Sequence, residues 1–158
     1  MYNNILLISV KPKYADKIFS GKKQVEFRRV RSRLDKNDLV LVYVSSPRKA
    51  LVGSFEVEHI IQIEIKKSSR DLNKFWNQVK NIAGISSKEF KTYYNGASIM
   101  VGIFVKNIKI LPYPIELTQI REKLPKFKPP QNYHYLKESE FKMLESMMQD
   151  IQINTSCK

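Results

Sequence analysis

The chain contains few of the residues that hold metals or form disulfides. Its 158 residues include one cysteine, Cys157, and two widely separated histidines, His59 and His134. One cysteine excludes an intrachain disulfide and a thiolate metal cluster. The histidines have no neighbouring acidic or cysteine cluster, so they support neither a zinc site nor a Ser-His-Asp triad. We therefore expect no metal and no cofactor.

Long apolar runs are also missing. No run approaches the ~18 residues that a membrane-spanning helix needs, and residues 1–5 lack the basic and apolar regions of a signal peptide. The sequence has no internal repeat and no low-complexity tract, which excludes solenoids and arrays. We expect a cytoplasmic protein without a membrane partner.

Acidic residues are scarce relative to basic ones. Lys and Arg number 28 against 15 Asp and Glu, a formal net charge of +13. Between Lys11 and Ala50 the count is twelve against four, so the excess is concentrated in the first third of the chain. Such clustering favours a polyanionic partner such as RNA or another nucleic acid, although a basic run by itself often only solubilises a surface.

Hydrophobic periodicity predicts a single α+β domain over residues 1–148, followed by a frayed tail at 149–158. The predicted strands are 5–10, 24–30, 39–44, 51–65 and 97–110, and the predicted helices are 12–20, 72–82, 86–94, 116–123 and 136–148. The proline-rich stretch before the last helix is predicted to be ordered but irregular. This order predicts a small, strongly curved mixed sheet or barrel with short helices packed at its ends.

One eight-residue segment concentrates chemistry at a helix-to-strand junction. Gly21, Lys23, Glu26 and Arg28 bring together a glycine turn, two cations and a carboxylate. Glu26 and Arg28 are two apart on a strand and share a face, so they could contact a base or ribose and a phosphate of one ligand. Lys23 could hold a phosphate, or act as a base if burial lowers its pKa. The alternative is an intramolecular ion-pair ladder.

Other candidates surround this segment, each with a structural alternative. Ser46 either donates to a ligand or turns the chain, and Glu56 is either a second cleft carboxylate or part of a solvated strand face. Tyr133 either stacks on a base or packs, whereas Tyr93 and Tyr94 follow helical spacing and are predicted to pack. Four basic residues are assigned nonspecific attraction to nucleic acid: Lys11, Arg29, Arg31 and Arg48.

The segment Gly21-Lys22-Lys23-Gln24-Val25-Glu26-Phe27-Arg28 matches the GxKxxExR motif of the ASCH domain. Residues 9–15, 43–47 and 52–57 also resemble this family, and residues 84–86 and 129–133 resemble one prokaryotic branch of it. The resemblance therefore covers nearly the whole chain. It implies a PUA-like β-barrel fold. It also implies RNA binding, a role in transcription or translation-linked regulation, or in some members catalysis.

The resemblance leaves several functions open. RNA or nucleic-acid binding is the leading hypothesis, and the alternative is a ribonuclease with Lys23 and Glu26 as catalytic candidates. Another branch of the family deacylates acetylcytidine with a lysine, a threonine nucleophile and a glutamate. Lys23 matches that lysine, but Glu26 stands where the threonine is required, which disfavours an amidohydrolase. Two further alternatives are that the protein binds a modified nucleoside or nucleotide, and that its basic face binds an acidic protein.

Overall fold

The computed structural model describes residues 2–66 and 70–156, and these residues form six strands and five helices. In chain order the elements are β1 Ile5–Val10, α1 Pro12–Phe19, β2 Val25–Arg28, β3 Leu39–Val44, β4 Ala50–Glu64, α2 Arg70–Val79, α3 Ser87–Tyr94, β5 Ile99–Glu116, α4 Leu117–Lys123, β6 Tyr133–Tyr135 and α5 Glu138–Ser156.

The six strands form one mixed sheet in the order β2-β5-β4-β3-β1-β6. β1 and β3 are parallel, and the other neighbouring strands are antiparallel. The sheet is curled, and the segment after β2, one outer strand, reaches β6, the other: Arg33 N donates to the Tyr135 hydroxyl oxygen at 2.7 Å. The predicted α+β fold with a curved mixed sheet is confirmed.

Apolar side chains fill both faces of the sheet. Alternate residues of β3 enter different clusters, with Val40 and Val42 in the first and Leu41 in the second. β3 is therefore buried on both faces, as its unbroken apolar run predicts. The second cluster is covered by α5 through Leu144, and a third cluster around Phe75 lies between α2, α3 and the β2 end of the sheet.

Two elements near the C-terminus differ from the prediction. β6 lies in the stretch predicted to be irregular, and it pairs antiparallel with β1, so that Leu7 opposes His134. Helix α5 continues through Ser156, past Gln149 where the tail was predicted to begin, since Ile151 still packs on the second cluster. Cys157 and residue 158 lie outside the described residues, and the domain boundary at residue 148 stays a prediction.

The longest strands contain irregularities that the sequence marks. The β3–β4 and β4–β5 registers shift near Gly53, and a side chain there would overlap the carbonyl oxygen of Lys109 and come within 2.9 Å of the Phe19 ring. Glycine at this position therefore allows both the bulge and the close backbone approach. No helix in residues 2–66 and 70–156, α5 included, is both long and apolar enough to cross a membrane.

Candidate functional site

The GxKxxExR segment forms the turn from α1 into β2. Gly21 has φ +82°, the left-handed backbone that glycine adopts without strain, and it reverses the chain after α1. β2 is an edge strand paired only with β5, and its alternation sends Val25 and Phe27 into the third cluster. Glu26 and Arg28 consequently point to the other face, as predicted from the two-residue period of a strand.

Glu26 and Arg28 lie in the wall of an open cleft of about 500 Å³. The rest of the wall comes from α1, the ends of β1 and β3, α3, and the loop of residues 129–132 that precedes β6. Two more predicted site residues, Lys11 and Ser46, also line this cleft. Four of the ten predicted ligand-contacting residues therefore meet in one concave surface, although they come from different parts of the chain.

The Glu26–Arg28 pair is buried but incompletely hydrogen-bonded. Glu26 Oε1 lies 3.5 Å from Arg28 Nη2, and each side chain exposes only about a tenth of its surface. Arg28 Nη1 donates to the Asn132 carbonyl oxygen at 3.4 Å. Within the described part of the chain, Glu26 Oε2 and Arg28 Nε have no hydrogen-bond partner. An unsatisfied buried polar atom costs ~1–3 kcal/mol. Both atoms have almost no accessible surface, so a ligand in the cleft reaches them only if the two side chains turn toward it.

Lys23 occupies a deeper side pocket of about 90 Å³, which shares Tyr14, Glu26 and Tyr93 with the cleft. The lysine is only 3% exposed, and Nζ donates to the Ala83 carbonyl oxygen at 2.9 Å. Burial lowers the pKa of Lys23 from its ordinary value, and the nearby charge of Glu26 opposes this effect. The desolvated lysine anticipated from the sequence is therefore present beside the Glu26 carboxylate.

The burial of Lys23 predicts a pH-dependent stability. Because its pKa is lowered in the folded protein, the unfolded chain binds more protons between that lowered pKa and the ordinary value of 10.5, so stability rises with pH in this window. We expect the free energy of unfolding of wild type minus that of Lys23→Met to increase as the pH rises toward 10.5. Urea unfolding of both proteins from pH 7 upward measures this difference in the free energy of unfolding. A difference that does not change with pH would contradict the prediction.

Of the two alternatives for Glu56, the structure does not place it in the wall of this cleft. It lines a separate cavity beside α5, where Asn107 Nδ2 donates to its Oε2 at 3.4 Å. The reason is the strand order: β5 lies between β4, which carries Glu56, and β2, which carries Glu26. The sequence could show that both carboxylates lie on strands, but not that a third strand separates them.

Two of the predicted basic residues are engaged in exposed ion pairs outside the cleft wall. Arg48 Nη1 lies 2.7 Å from Glu116 Oε1, and Arg31 Nη2 lies 3.4 Å from Glu64 Oε1. Lys49, which was not predicted, lines the cleft in place of Arg48. That these two arginines attract nucleic acid stays a prediction. The carboxylate of each ion pair compensates part of the arginine's charge.

The tyrosines that line the cleft are not the ones that the sequence favoured for contact with a base. Tyr94 is buried in the third cluster, as predicted. Its neighbour Tyr93, also predicted to pack, instead lines the cleft, and the guanidinium carbon of Arg29 lies 5.9 Å from its ring centroid. Tyr133 is half-buried against the first cluster, outside the cleft wall, with the Arg28 guanidinium carbon 6.0 Å from its ring.

Asn132 is the main site residue that the sequence analysis did not single out. Its carbonyl oxygen accepts from Ser9 N at 2.9 Å and from Arg28 Nη1, so it fixes the loop of residues 129–132 against both β1 and β2. The only signal for it was that residues 129–133 resemble the ASCH family. In residues 2–66 and 70–156 no three His, Cys, Asp or Glu side chains gather as they would around a metal ion.

Known proteins resemble this chain over most of its length. The sequence pattern of the ASCH domain matches residues 8–144. An ASCH domain-containing ribonuclease of Zymomonas mobilis subsp. mobilis is 28% identical over 146 residues, which cover 92% of this chain and 93% of that protein.

Solved structures agree with this assignment. The crystal structure of ASCH from Zymomonas mobilis has a TM-score of 0.78 at 28% identity and covers 90% of this chain and 94% of its own. The N-terminal domain of Staphylothermus marinus McrB, with a TM-score of 0.54 at 11% identity, covers 90% of this chain and 93% of its own and shares the fold alone. The match over residues 8–144, the curled mixed sheet and the cleft that carries the GxKxxExR segment show together that the chain belongs to the ASCH domain family.

Proposed function

We propose that the protein binds RNA in this cleft. The observation that carries the proposal is the buried Glu26–Arg28 pair, which keeps a carboxylate oxygen and a guanidinium N–H without partners in a cleft wall. A ribose hydroxyl or the amino group of a base can donate to the Glu26 carboxylate when this side chain turns toward the cleft. A phosphate oxygen or a base acceptor can accept from the Arg28 guanidinium. Nucleotides carry both kinds of group within a few ångströms of each other.

The surroundings of the pair support the same ligand. Lys11 and Lys49 stand in the cleft wall, and the net charge of +13 attracts a polyanion from a distance. Tyr93 adds an aromatic side chain to the wall, which suits a base. A relative that is 28% identical over 92% of this chain is called a ribonuclease, so RNA is the polyanion that we choose among nucleic acids.

Binding is tested by fluorescence anisotropy of a labelled single-stranded RNA with wild type, Arg28→Ala and Lys142→Ala. Lys142 is the matched control because it is an exposed cation on α5 that pairs with Glu138, away from the cleft. We expect Arg28→Ala to weaken binding about 10-fold or more, because a directed arginine contact is worth ~1–3 kcal/mol. Lys142→Ala should change affinity less than about 2-fold.

Equal effects of the two substitutions would show that binding depends on overall charge and not on the cleft. Because Arg28 is buried, Arg28→Lys serves as a second variant that keeps the charge and removes the fork of N–H donors. We expect its affinity to fall between wild type and Arg28→Ala. Near-UV circular dichroism of all variants checks that the fold is intact.

Cleavage of the bound RNA is the second candidate, and the environment of Lys23 favours it. In this reaction Glu26 would take the proton of a ribose 2′-hydroxyl, whose oxygen attacks the adjacent phosphorus. The bond from phosphorus to the 5′ oxygen then breaks, and Lys23 would protonate that leaving oxygen. The products are a 2′,3′-cyclic phosphate and a free 5′-hydroxyl. Gel and mass analysis of the RNA after incubation detect these ends.

A modified nucleoside remains the smaller ligand that the cleft could hold. Deacylation of acetylcytidine as in the amidohydrolase branch is not part of the proposal, because a carboxylate at Glu26 cannot act as the threonine nucleophile does. Isothermal titration with nucleosides distinguishes this ligand class. Binding of a free nucleoside as tightly as an RNA of about ten nucleotides would show that the polymer contributes nothing.

A further inference from the structure

We propose that the cleft continues into a second binding surface that takes the single-stranded flank of the RNA. This surface, here called the arginine–tyrosine track, consists of Arg28, Tyr133, Tyr135 and Arg33. The inference rests on the proposed RNA binding. It adds a second contact surface, a preference for single-stranded RNA and a role for Arg33. The track runs along β6, on the side of the cleft formed by Arg28 and the loop of residues 129–132.

Successive side chains of the track contact each other. The Arg28 guanidinium carbon lies 6.0 Å from the Tyr133 ring centroid, the Tyr133 and Tyr135 centroids lie 6.0 Å apart, and the Arg33 guanidinium carbon lies 4.2 Å from the Tyr135 centroid. Arg28 belongs to the cleft wall, so the row begins inside the cleft and ends at an exposed arginine. An RNA strand that leaves the cleft beside Arg28 and follows this row therefore reaches Arg33 at its other end.

Hydrogen bonds hold the track in shape before any ligand arrives. The Tyr135 hydroxyl accepts from Arg33 N at 2.7 Å, and the Tyr133 hydroxyl donates to the Arg31 carbonyl oxygen at 3.4 Å. Both tyrosine rings are half-buried against the first cluster. The loop that carries Arg33 is therefore tied to β6 by its backbone, and little conformational entropy remains to be lost on binding.

Arg33 differs from its neighbour Arg31 in how its charge is used. Arg31 pairs with Glu64, whereas Arg33 has no acidic partner within the described residues and instead rests over an aromatic ring. An arginine held over a ring in this way presents its guanidinium plane to a base and its N–H groups to a phosphate. Lys142, the exposed cation on α5 that pairs with Glu138, is the control that removes a charge away from this surface.

The chemistry of the track selects a single strand. Both tyrosines are partly buried against the core and Arg33 lies over the Tyr135 ring, so a base at this end stacks on the exposed arginine. Only unpaired bases present a free face for such stacking. In a duplex these faces are occupied by neighbouring base pairs, which leaves only phosphate contacts. Duplex RNA should therefore gain much less from Arg33 than a single strand does.

The test compares Arg33→Ala and Lys142→Ala with wild type in anisotropy titrations over a range of salt concentrations. The probes are a single-stranded RNA of about twelve nucleotides, a duplex of the same length and a dinucleotide. For the twelve-nucleotide strand we expect Arg33→Ala to weaken binding about 5-fold or more and to reduce the salt slope by about 1, with an effect of less than about 2-fold for Lys142→Ala. Dinucleotide and duplex affinity should change little with either variant.

Equal losses for Lys142→Ala and Arg33→Ala on the long strand would overturn the track and leave only general attraction. Equal losses of single-strand and duplex binding on Arg33→Ala would overturn the stacking role. The result for Arg28→Ala separates the two proposals. If Arg28→Ala weakens binding and Arg33→Ala does not, RNA binding in the cleft is supported and the arginine–tyrosine track is refuted. If neither variant weakens binding of the long strand, RNA binding in the cleft itself is refuted.

Discussion

Glu26→Gln is expected to lower the rate of RNA cleavage about 100-fold or more if the cleft cuts the RNA that it binds. Glutamine keeps the shape of the side chain but cannot take the 2′-hydroxyl proton, and general acid–base catalysis contributes ~10²–10⁴-fold to rate. RNA affinity should change much less than the rate, because the glutamine amide oxygen can still accept a hydrogen bond from the RNA and Arg28 no longer has a carboxylate 3.5 Å away. Single-turnover cleavage and anisotropy, run on the same preparation, measure both quantities.

The matched control for this substitution is Glu64→Gln. Glu64 is an exposed carboxylate on β4 that pairs with Arg31, so the same charge is removed outside the cleft, and cleavage should be unchanged. An unchanged rate in Glu26→Gln would show that Glu26 is not the base. A wild-type protein that leaves RNA intact would remove the cleavage candidate and leave RNA binding as the proposed function.

Asp38→Ala is expected to lower the free energy of unfolding by about 3–4 kcal/mol. The carboxylate is 2% exposed and accepts four hydrogen bonds: Asn3 N and Asn4 N donate to Oδ1 at 3.0 Å each, and Asn4 Nδ2 at 3.0 Å and Asp35 N at 2.8 Å donate to Oδ2. Alanine leaves these donors without an acceptor, and each lost bond to a charged group costs ~1.5–3 kcal/mol before solvent compensates. Urea unfolding measures the change.

Two further variants separate the loss of these bonds from the loss of a charge. Asp35→Ala removes a neighbouring exposed carboxylate and should change stability by less than about 0.5 kcal/mol. Asp38→Asn keeps the shape and one acceptor oxygen, so its stability should lie between those of wild type and Asp38→Ala. A small effect of Asp38→Ala would show that water reaches the donors and replaces the carboxylate.

Asp38 also illustrates how far the sequence could lead. Residues 35–38 have a turn composition, which predicts correctly that the chain turns before β3. The sequence does not reveal that Asp38 bonds to residues 34 and 35 positions earlier in the chain. This long-range role arises because β1 and β3 are parallel neighbours, which places the start of β1 beside the turn.

Elements with strong local patterns were predicted well. β1 and β3 begin and end at the predicted residues, and α3 begins at a capping box formed by Ser86 and Glu89. β6 was missed because three residues are too few to show an alternation, and the strand forms by pairing with the free edge of β1. The position of Tyr93 in the cleft wall was not evident, because helical spacing identifies the apolar face but not which of its residues borders a cleft.

By itself the sequence determined the features that depend on neighbouring residues: the helix-to-strand turn at Gly21, the shared face of Glu26 and Arg28, and the basic character of the first third of the chain. Only the tertiary structure decided which strands are neighbours. It separated Glu56 from Glu26, buried Lys23 beneath the Ala83 carbonyl group, and brought Asn132 to Arg28 across 104 positions. Local periodicity specifies which face of an element is apolar, whereas strand order and long-range contacts depend on how all these faces are buried together.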